Sequence, residues 1–427
     1  MEKAIRHWSP LAVAAITLFA GLGGRPAMAS TVYVGTCVSH VVTYSTIQSA
    51  VTAVSAGSTI LVCPGNYPEQ VIISKNLTLT GIESGAADAA VLVIPGSGFV
   101  PNTSSLTTSS PLAAQILVES PATNVTISYL AVDGTGNNLN YTDNCSDPRL
   151  IGFYFRNASG TLNSVVARNQ AQDTANFGCQ NSAGLGVFIQ SSGTPATVKI
   201  ANSNIHGFQK AGIVANENGT TVTLIGNSVI GAGPVNTAQI GIQIAVGAAG
   251  TVQNNILADD LYNGEPSAGL APGILIYASG HITITGNSIT STQFGIALVT
   301  AGDLTADWNT VDGNLVVNTQ IGDGIDACSN HNTLIGNTVL SSSESGIHLN
   351  SLCGGTGSYN TVGANLVNEA CAGILEGGSP NTIYLTNAFL NVVNTTLAGD
   401  VCTAPVPGTL LSQQAVSPGN SFVPVRP

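Results

Sequence analysis

Apolar residues recur along most of this chain in a short motif in which glycine is followed by an alternation of apolar and variable positions. Seven copies, spaced 22 to 32 residues apart, begin at Gly212, Gly241, Gly273, Gly295, Gly324, Gly346 and Gly373, and earlier copies begin at Gly152 and Gly186. A period of two residues is that of a β-strand, and self-similarity at a repeat of roughly 20 to 50 residues is typical of a solenoid. The pattern predicts at least nine stacked coils, because one coil cannot bury its apolar face alone.

Asparagine-containing turns follow several of the predicted strands. They occur at Gly226-Asn227-Ser228, Gly286-Asn287-Ser288 and Gly336-Asn337-Thr338, and Asn204 holds a similar place one coil earlier. Asparagine tolerates left-handed backbone, and its amide can pair with the asparagine of the next coil. The regular leucine consensus of a leucine-rich repeat is missing, so the pattern favours an all-β fold, a parallel β-helix.

A short helix is predicted before the coils. Ser45-Thr46-Ile47-Gln48 matches a capping box, and Ile47, Ala50, Val51 and Val54 form one apolar helical face that ends near Gly57. This amphipathic helix would cap the open N-terminal end of the solenoid.

The first residues predict export. Lys3 and Arg6 precede an apolar run from Leu11 to Leu22, and Ala27-Met28-Ala29 is a small-x-small cleavage site. This run is too short to span a bilayer. We therefore expect a signal peptide at 1–29, one β-helix domain at 30–403, a proline-containing tail at 404–427, and a secreted or cell-surface location without membrane insertion.

All eight cysteines follow the predicted signal, and an even number in an exported protein favours disulfides. Cys145 and Cys179 each lie seven residues before a motif glycine, which places them about 4.8 Å apart on adjacent coils of a parallel ladder. Nearness in sequence gives the other expected pairs, namely Cys37 with Cys63, Cys328 with Cys353, and Cys371 with Cys402. No Cys-x-x-Cys spacing occurs, so no structural metal site is predicted.

One stretch of about 40 residues carries a family resemblance. It runs from Thr46-Ile47-Gln48 through Pro64-Gly65-Asn66-Tyr67 to Leu77-Thr78-Leu79-Thr80-Gly81, and it resembles the start of secreted right-handed parallel β-helix proteins of the pectin-lyase-like group. The resemblance implies a right-handed fold. The group includes pectinesterases, polygalacturonases, uronate lyases, epimerases and copper-site accessory proteins.

No specific enzyme family of that group is matched. Gln172-Asp173-Thr174 matches a pectinesterase tripeptide, and Asp323-Gly324-Ile325-Asp326 is similar to a polygalacturonase segment, but the companion motifs of both families are missing. The enzyme question therefore stays open between a polysaccharide lyase, a glycoside hydrolase and no activity.

Charge narrows the choice of partner. The chain has 10 Lys and Arg against 22 Asp and Glu, a net charge of −12, and no Lys or Arg lies between Ala211 and Val425. Such a surface repels nucleic acid and anionic membranes. The later coils also lack the cationic groups that hold uronate carboxylates, so a lyase site there would need metal ions.

Aligned motif copies place one group of residues in a row on the outside of the same sheet. The row joins the aromatic rings of Tyr154 and Phe188 to the polar side chains of Arg156, Gln190 and Asn216. Exposed aromatic faces beside hydrogen-bonding groups suit sugars, so the row is a candidate polysaccharide-binding site. The alternative is that an insertion, at Gly96–Leu112 or Asp133–Pro148, covers the aromatic rings.

A second group is a candidate catalytic site. Asp326 lies beside His348 on the next coil, with Asp323 at the strand edge and Asn350 nearby. A carboxylate and an imidazole in contact can act as acid and base, whereas an ordinary surface ion pair is the alternative.

No cofactor is predicted, with calcium left open. Its candidate ligands are oxygens of Asp303, Asp307, Asp312, Asp323 and Asp326, and solvated turn residues are the alternative.

These observations favour an exported protein that binds or processes a polysaccharide or cell-surface glycan. A noncatalytic structural or adhesion protein is the alternative. Buried aromatic rings and the lack of a pocket at His348 would favour the noncatalytic alternative, whereas an open groove along both groups would favour glycan binding.

Overall fold

The computed structural model describes residues 28–83, 88–137, 149–172, 180, 184–264, 269–403 and 424–425. In these residues the chain is almost entirely β-strand, with one short helix, α1 (Ile47–Ala53). Successive coils pair in parallel, and their strands form three ladders, here called faces A, B and C. The predicted β-helix with a capping helix is confirmed.

Face A is a sheet of 14 strands in the described residues. Its members are β1 (Thr31–Val34), β2 (Thr43–Tyr44), β3 (Thr59–Val62), β6 (Leu77–Gly81), β10 (Val125–Ser128), β13 (Gly160–Asn163), β16 (Ala196–Ala201), β19 (Thr220–Ile225), β22 (Ala249–Gln253), β25 (Thr283–Thr285), β28 (Thr310–Asp312), β31 (Thr333–Ile335), β34 (Thr361–Gly363) and β36 (Thr382–Ile383).

Faces B and C belong to one continuous sheet of 23 strands in the described residues. Face B consists of β4 (Gly65–Pro68), β7 (Ala90–Val93), β11 (Ala131–Asp133), β14 (Val166–Arg168), β17 (Asn204–His206), β20 (Ser228–Val235), β23 (Ile256–Tyr262), β26 (Ser288–Thr290), β29 (Leu315–Thr319) and β32 (Thr338–Ser342).

Face C carries the glycine motifs. It consists of β5 (Val71–Ile73), β9 (Pro111–Glu119), β12 (Arg149–Arg156), β15 (Leu185–Gln190), β18 (Ala211–Asn216), β21 (Ile240–Ala245), β24 (Pro272–Tyr277), β27 (Phe294–Val299), β30 (Ile325–Cys328) and β33 (Ser345–Leu349). Two long strands, β35 (Leu366–Glu376) and β37 (Ala388–Ala398), run through both faces, and β8 (Thr103–Ser104) pairs antiparallel with β9.

The motif glycine is required because neighbouring strands of faces B and C approach it closely. At Gly212, a Cβ atom would meet the side chain of Val229 and would lie 2.7 Å from the carbonyl oxygen of Gly241. Real Cβ atoms do not approach other atoms so closely. The three residues after this glycine are Ile213, Val214 and Ala215, and the first and third of them point into the apolar core that fills the coils.

Two asparagine ladders hold successive coils in register. In the ladder between faces A and B, the amide of each asparagine donates to the next at 2.9 to 3.0 Å. Its members are Asn227, Asn255, Asn287, Asn314, Asn337, Asn365 and Asn387. A second ladder, between faces C and A, contains Asn309, Asn332, Asn360 and Asn381.

The expected place of Asn204 in the first ladder is wrong. Its side chain is exposed in β17, and Ser203 takes the ladder position, where its backbone N–H donates to Asn227 Oδ1 at 3.0 Å. A serine fits because the turn needs only a small residue whose backbone N–H can donate to the asparagine of the next coil.

The capping helix has its N-cap at Thr46, whose hydroxyl accepts from the Ser49 N–H. The predicted capping box is wrong, because Thr46 rather than Ser45 is the N-cap and the side chain of Gln48 bonds the backbone of Ile72. The carboxylate of Glu69 instead accepts from the N–H groups of Ile47 and Gln48 at 2.7 and 2.8 Å. A carboxylate here is favourable because the helix N-terminus carries partial positive charge.

The described cysteines form three disulfides, Cys37–Cys63, Cys328–Cys353 and Cys371–Cys402. These are three of the four pairs expected from the sequence. The fourth, between Cys145 and Cys179, lies outside the described residues, as does the predicted signal up to residue 27. Within the described ranges, no helix has the length and apolar character needed to cross a membrane.

Candidate functional site

Five ionisable residues from the last coils meet on the outer side of face C. They are Asp323, Asp326, Glu344, His348 and Asp400, and we call them the His348 centre. Asp326 in β30 is the register partner of His348 in β33, because the two strands pair in parallel. Asp323 and Glu344 lie just before these two strands, and Asp400 follows β37.

Asp323 orients the imidazole of His348. Its Oδ2 atom lies 3.1 Å from His348 Nδ1, and its Oδ1 atom accepts from the N–H and the hydroxyl of Ser345 at 3.1 and 2.6 Å. Both oxygens of Asp323 therefore have partners, and the ring of His348 is held in one orientation.

Asp400 faces the other side of the same ring. Its Oδ1 atom lies 3.4 Å from His348 Nε2, which is an ion-pair contact rather than a well-aimed hydrogen bond. Ser351 fixes Asp400 by donating from its N–H and its hydroxyl at 2.9 and 2.8 Å. The contact with His348, together with the hydrogen bonds from Ser351, lowers the pKa of Asp400 to about 2.

The neighbouring carboxylates determine the charge of His348. Burial alone would lower the pKa of this imidazole, but Asp323, Asp400 and Asp326 outweigh burial and raise the pKa well above its usual value. The imidazole of His348 therefore keeps its proton to a higher pH than a free histidine does.

Asp326 and Glu344 are the carboxyl groups without strong partners. Burial raises the pKa of Asp326 to about 7, and Asn350 donates only a long hydrogen bond, at 3.4 Å, to its Oδ2. Burial and the charge of Asp323 raise the pKa of Glu344 to about 8. Four carboxyl groups thus share one imidazole, in a part of the chain that contains no Lys or Arg.

Disulfides tie two of these positions in place. Cys328, two residues after Asp326, is bonded to Cys353, and Cys402, two residues after Asp400, is bonded to Cys371. The N–H of Cys402 also donates to Glu344 Oε1 at 3.3 Å. The disulfides therefore anchor the segments that carry Ser351 and Asp400 against face C.

The aromatic row lies elsewhere on face C, and its expected exposure is wrong. Tyr154 and Phe188 stack with ring centroids 5.0 Å apart, but both side chains are fully buried. The Tyr154 hydroxyl donates to Gln190 Oε1 at 2.8 Å. The rings cannot meet a solvent-borne sugar in this conformation.

The segment at 103–108 covers this part of the row, as the alternative of a covering insertion at Gly96–Leu112 proposed. The N–H of Leu106 donates to Gln190 Oε1 at 3.0 Å, and Arg156 Nε donates to the carbonyl of Ser104 at 3.0 Å. The other suggested cover, Asp133–Pro148, is described only as far as residue 137.

The remaining residue of the row, Asn216, is covered by Val425. Asn216 Nδ2 donates to the carbonyl of Val425 at 3.0 Å, and Gln243 both donates to that carbonyl and accepts from the Val425 N–H. A nearby pocket is lined by residues that include Tyr277, Leu304 and Val425, and His348 is not among them.

The five aspartates considered as calcium ligands do not converge. Asp312 lies in β28 on face A, whereas Asp323 and Asp326 lie on face C. Asp303 is exposed in a turn, and Asp307 Oδ1 accepts from the N–H of Asn330 at 2.8 Å.

Sequence reasoning missed Glu344, Asp400 and an exposed aromatic ladder. The position of Glu344, two residues before Gly346, could have indicated it, and the expected Cys371–Cys402 bond could have brought Asp400 close. The exposed ladder stacks His331 between Trp308 and Tyr359, with ring centroids 4.3 and 5.0 Å apart, at the corner between faces C and A.

Comparisons with known proteins agree with the fold. The sequence model of a family described as periplasmic copper-binding protein (NosD) matches residues 199–404, which contain the whole His348 centre. No curated protein sequence matches significantly.

Solved structures with low identity share the architecture. The GH136 lacto-N-biosidase from Eubacterium ramulus is 12% identical over 87% of this chain and 68% of that chain, with a TM-score of 0.55. The Dettilon tailspike protein is 14% identical over 79% and 62%, with a TM-score of 0.50. The periplasmic alginate epimerase AlgG is 13% identical over 80% and 77%, with a TM-score of 0.46. This chain has the fold of a right-handed parallel β-helix, which is consistent with its resemblance to the pectin-lyase-like group.

Proposed function

We propose that this protein is exported and acts on a polysaccharide or cell-surface glycan at the His348 centre. The observation that carries the proposal is the composition of the centre, where four carboxyl groups surround one imidazole and the pKa values of two of them are raised to about 7 and 8. Buried ionisable groups with strongly shifted pKa values cost stability, and such groups cluster at functional sites.

Three further observations support export and glycan chemistry. The predicted signal and the three disulfides suit an oxidising compartment outside the cytoplasm. The matching family is described as periplasmic. Among the three solved structures named above, the highest TM-score belongs to a lacto-N-biosidase, an enzyme of glycans. Fold alone does not fix function, so the proposal rests on the centre.

Access to the centre requires one segment to move. Asp326 and His348 are 2% and 3% exposed, and Asp400 lies against the imidazole. A polymer can reach Asp326 and His348 if the segment that carries Asp400 is displaced from Ser351. This segment ends at the Cys371–Cys402 bond and is therefore tethered close to the centre.

The noncatalytic alternative is favoured by two observations. The rings of Tyr154 and Phe188 are buried, and the pocket lined by Tyr277 and Val425 lies away from His348. On this alternative, a structural or adhesion protein would present its outer surface to a partner, with no turnover.

One experiment distinguishes action on a polysaccharide from a noncatalytic role. The protein is incubated with a panel of neutral and acidic polysaccharides, and bound polymer and released sugar ends are recorded together. Asp326→Asn and His348→Asn are compared with two matched controls outside the centre, Asp303→Asn and His281→Asn.

We expect released ends from the wild type and both controls, and loss of release in the two centre variants. Binding without release would support the noncatalytic candidate. Binding that survives both centre substitutions but is lost in Trp308→Ala would place the glycan on the exposed aromatic ladder and reject the centre.

A further inference from the structure

We propose that Asp323, Asp326 and His348 together hold a divalent transition-metal cation. One donor atom from each of these buried residues lies within 4.8 Å of the other two. The inference concerns the centre described above but goes beyond its proposed function, because ion binding is measurable without any polysaccharide.

Asp323 is prepared as a ligand by Ser345. Two hydrogen bonds from Ser345 engage the Oδ1 atom, so Oδ2 is the oxygen that points at His348 Nδ1, at 3.1 Å. Two ligand atoms on one metal ion lie at about this separation when each bond is about 2.0 to 2.2 Å long. A cation can therefore replace the proton that the two atoms share.

Asp326 supplies an independent indication of a missing partner. Its Oδ1 atom has no hydrogen-bond partner among the described residues, although the residue is only 2% exposed. A buried carboxylate oxygen without a partner is costly. Because Asn350 engages the other oxygen, Oδ1 is the atom available to an ion.

His348 has the surroundings of a metal ligand on its second nitrogen. Its Nε2 atom faces Asp400, and Asp400 is itself fixed by Ser351. Metal-binding histidines commonly direct their other ring nitrogen to a carboxylate, which orients the ring and increases its basicity. Asp400 is therefore a positioning residue, and Nδ1 is the ligand atom.

A cation would also balance the carboxylates of the centre, and the surrounding chain supplies no cationic side chain besides His348. The sequence has no Lys or Arg between Ala211 and Val425. Apart from His348, the acidic residues of the centre have no basic neighbour in this stretch. A divalent ion would balance the carboxylates without burying a further side chain.

The donor set selects the class of ion. Two carboxylate oxygens and one imidazole nitrogen suit Zn²⁺, Mn²⁺ or Cu²⁺. Copper(I) prefers thiolate and thioether donors, but the only methionines are Met1 and Met28, and the six described cysteines are in disulfides. The family description of copper binding therefore fits this centre only for copper(II). Calcium takes about six to eight oxygen ligands, more than these residues provide.

Ion binding is tested on the purified, tag-free protein after dialysis against a chelator. Calorimetric titration with Zn²⁺, Cu²⁺ and Ca²⁺ is carried out on the wild type, Asp326→Asn, His348→Asn, and the controls Asp303→Asn and His281→Asn. Asparagine at 348 can still donate a hydrogen bond to Asp323, so His348→Asn removes the metal ligand while preserving that contact.

We expect one equivalent of Zn²⁺ or Cu²⁺ to bind to the wild type and both controls, with affinity reduced at least about 100-fold in the two centre variants. No stoichiometric binding, equal binding in the centre variants, or tighter binding of Ca²⁺ than of Zn²⁺ and Cu²⁺ would overturn the inference. If the variants do not fold, electron paramagnetic resonance of the Cu²⁺-loaded wild type tests the inference instead. The proposed site predicts coupling of the copper ion to one imidazole nitrogen. Coupling to any other number of imidazole nitrogens would reject the site.

The outcomes also separate this inference from the proposed function. Ion binding without sugar release would reject only the action on polysaccharide. Sugar release without ion binding would reject only the metal site.

Discussion

At the scale of single residues, Asp260 is a buried carboxyl group that the fold leaves without partners. It lies within β23 on face B, it is fully buried, and neither of its oxygens has a hydrogen-bond partner in the described residues. Burial, with a smaller effect of the charge on Asp259, raises the pKa of Asp260 well above its usual value. The folded protein therefore keeps the proton of Asp260 to a higher pH than the unfolded chain does.

Asp260→Asn is expected to stabilise the protein increasingly as the pH rises. Between the usual pKa of about 4 and the raised folded pKa, the unfolded chain loses the proton and the folded chain keeps it. The stabilising effect of the proton, present at low pH, is lost through this window at up to about 1.4 kcal/mol per pH unit. Chemical unfolding of wild type and variant at pH 5 and pH 8 measures the difference.

Asp303→Asn, at an exposed turn, is the control and should show little change at either pH. An Asp260→Asn protein that is less stable than the wild type at both pH values would contradict this account of Asp260.

The residues of the His348 centre show how much of a site can be predicted from the sequence. Asp326 and His348 could be placed side by side because both are the third residue of a motif copy, and in-register stacking of motifs fixes their neighbours. Asp400 could not be placed in this way, because it follows a long strand and reaches the imidazole through a contact 52 residues away in the chain. Burial of the centre is also a property of the covering segments rather than of the motif.

At the scale of elements, the asparagine ladders explain how coils of unequal length stay in register. Asn314 is buried, accepts from the N–H and the amide of Asn287, and donates to Asn337 and to the carbonyl of Ile284. Its side chain thus satisfies polar groups of both the preceding and the following coil. Because the ladder links each coil to the next at one position, insertions elsewhere in a coil leave the register unchanged.

Asn314→Ala is expected to lower the free energy of unfolding by about 2 to 4 kcal/mol, because it leaves buried donors and acceptors without partners. The control is Asn204→Ala, in an exposed side chain outside the ladder, which should cost less than about 0.5 kcal/mol. Urea unfolding of the two variants provides the comparison. Equal losses in both would mean that the ladder does not hold the coils together.

The elements were predictable because the motif obeys a local rule. The glycine, the flanking apolar residues and most ladder asparagines follow from the repeat. The exception, Asn204, arose because serine also fits the ladder position, and the sequence does not show which of two adjacent polar residues points inward.

At the scale of the whole molecule, the outer side of face C is a covered surface rather than an open groove. The segment at 103–108 lies over Gln190, and Val425 lies over Asn216 and Gln243. Sequence could suggest that an insertion covers the aromatic row, but it could not locate the contacts, which join residues more than 80 positions apart.

Gln190→Ala is expected to loosen the cover over face C. The Gln190 side chain accepts from the Leu106 N–H and from the Tyr154 hydroxyl, so its removal leaves both donors without this partner. Hydrogen exchange in residues 105–110 should become about 10-fold faster, while amides of face A stay unchanged. Gln320→Ala, at an exposed position, is the matched control. Unchanged exchange in the Gln190 variant would show that other contacts hold the cover.

The most direct test of the account is the stability of Asp326→Asn with and without an added divalent ion, because it needs no substrate. If the His348 centre is maintained for function, the ion-free variant should be as stable as the ion-free wild type or more stable, since one of four crowded carboxyl groups is removed. Addition of Zn²⁺ or Cu²⁺ should then stabilise the wild type but not the variant. A loss of about 2 kcal/mol or more in the ion-free variant, with no ion effect on the wild type, would show that the centre is a structural network and contradict its functional role.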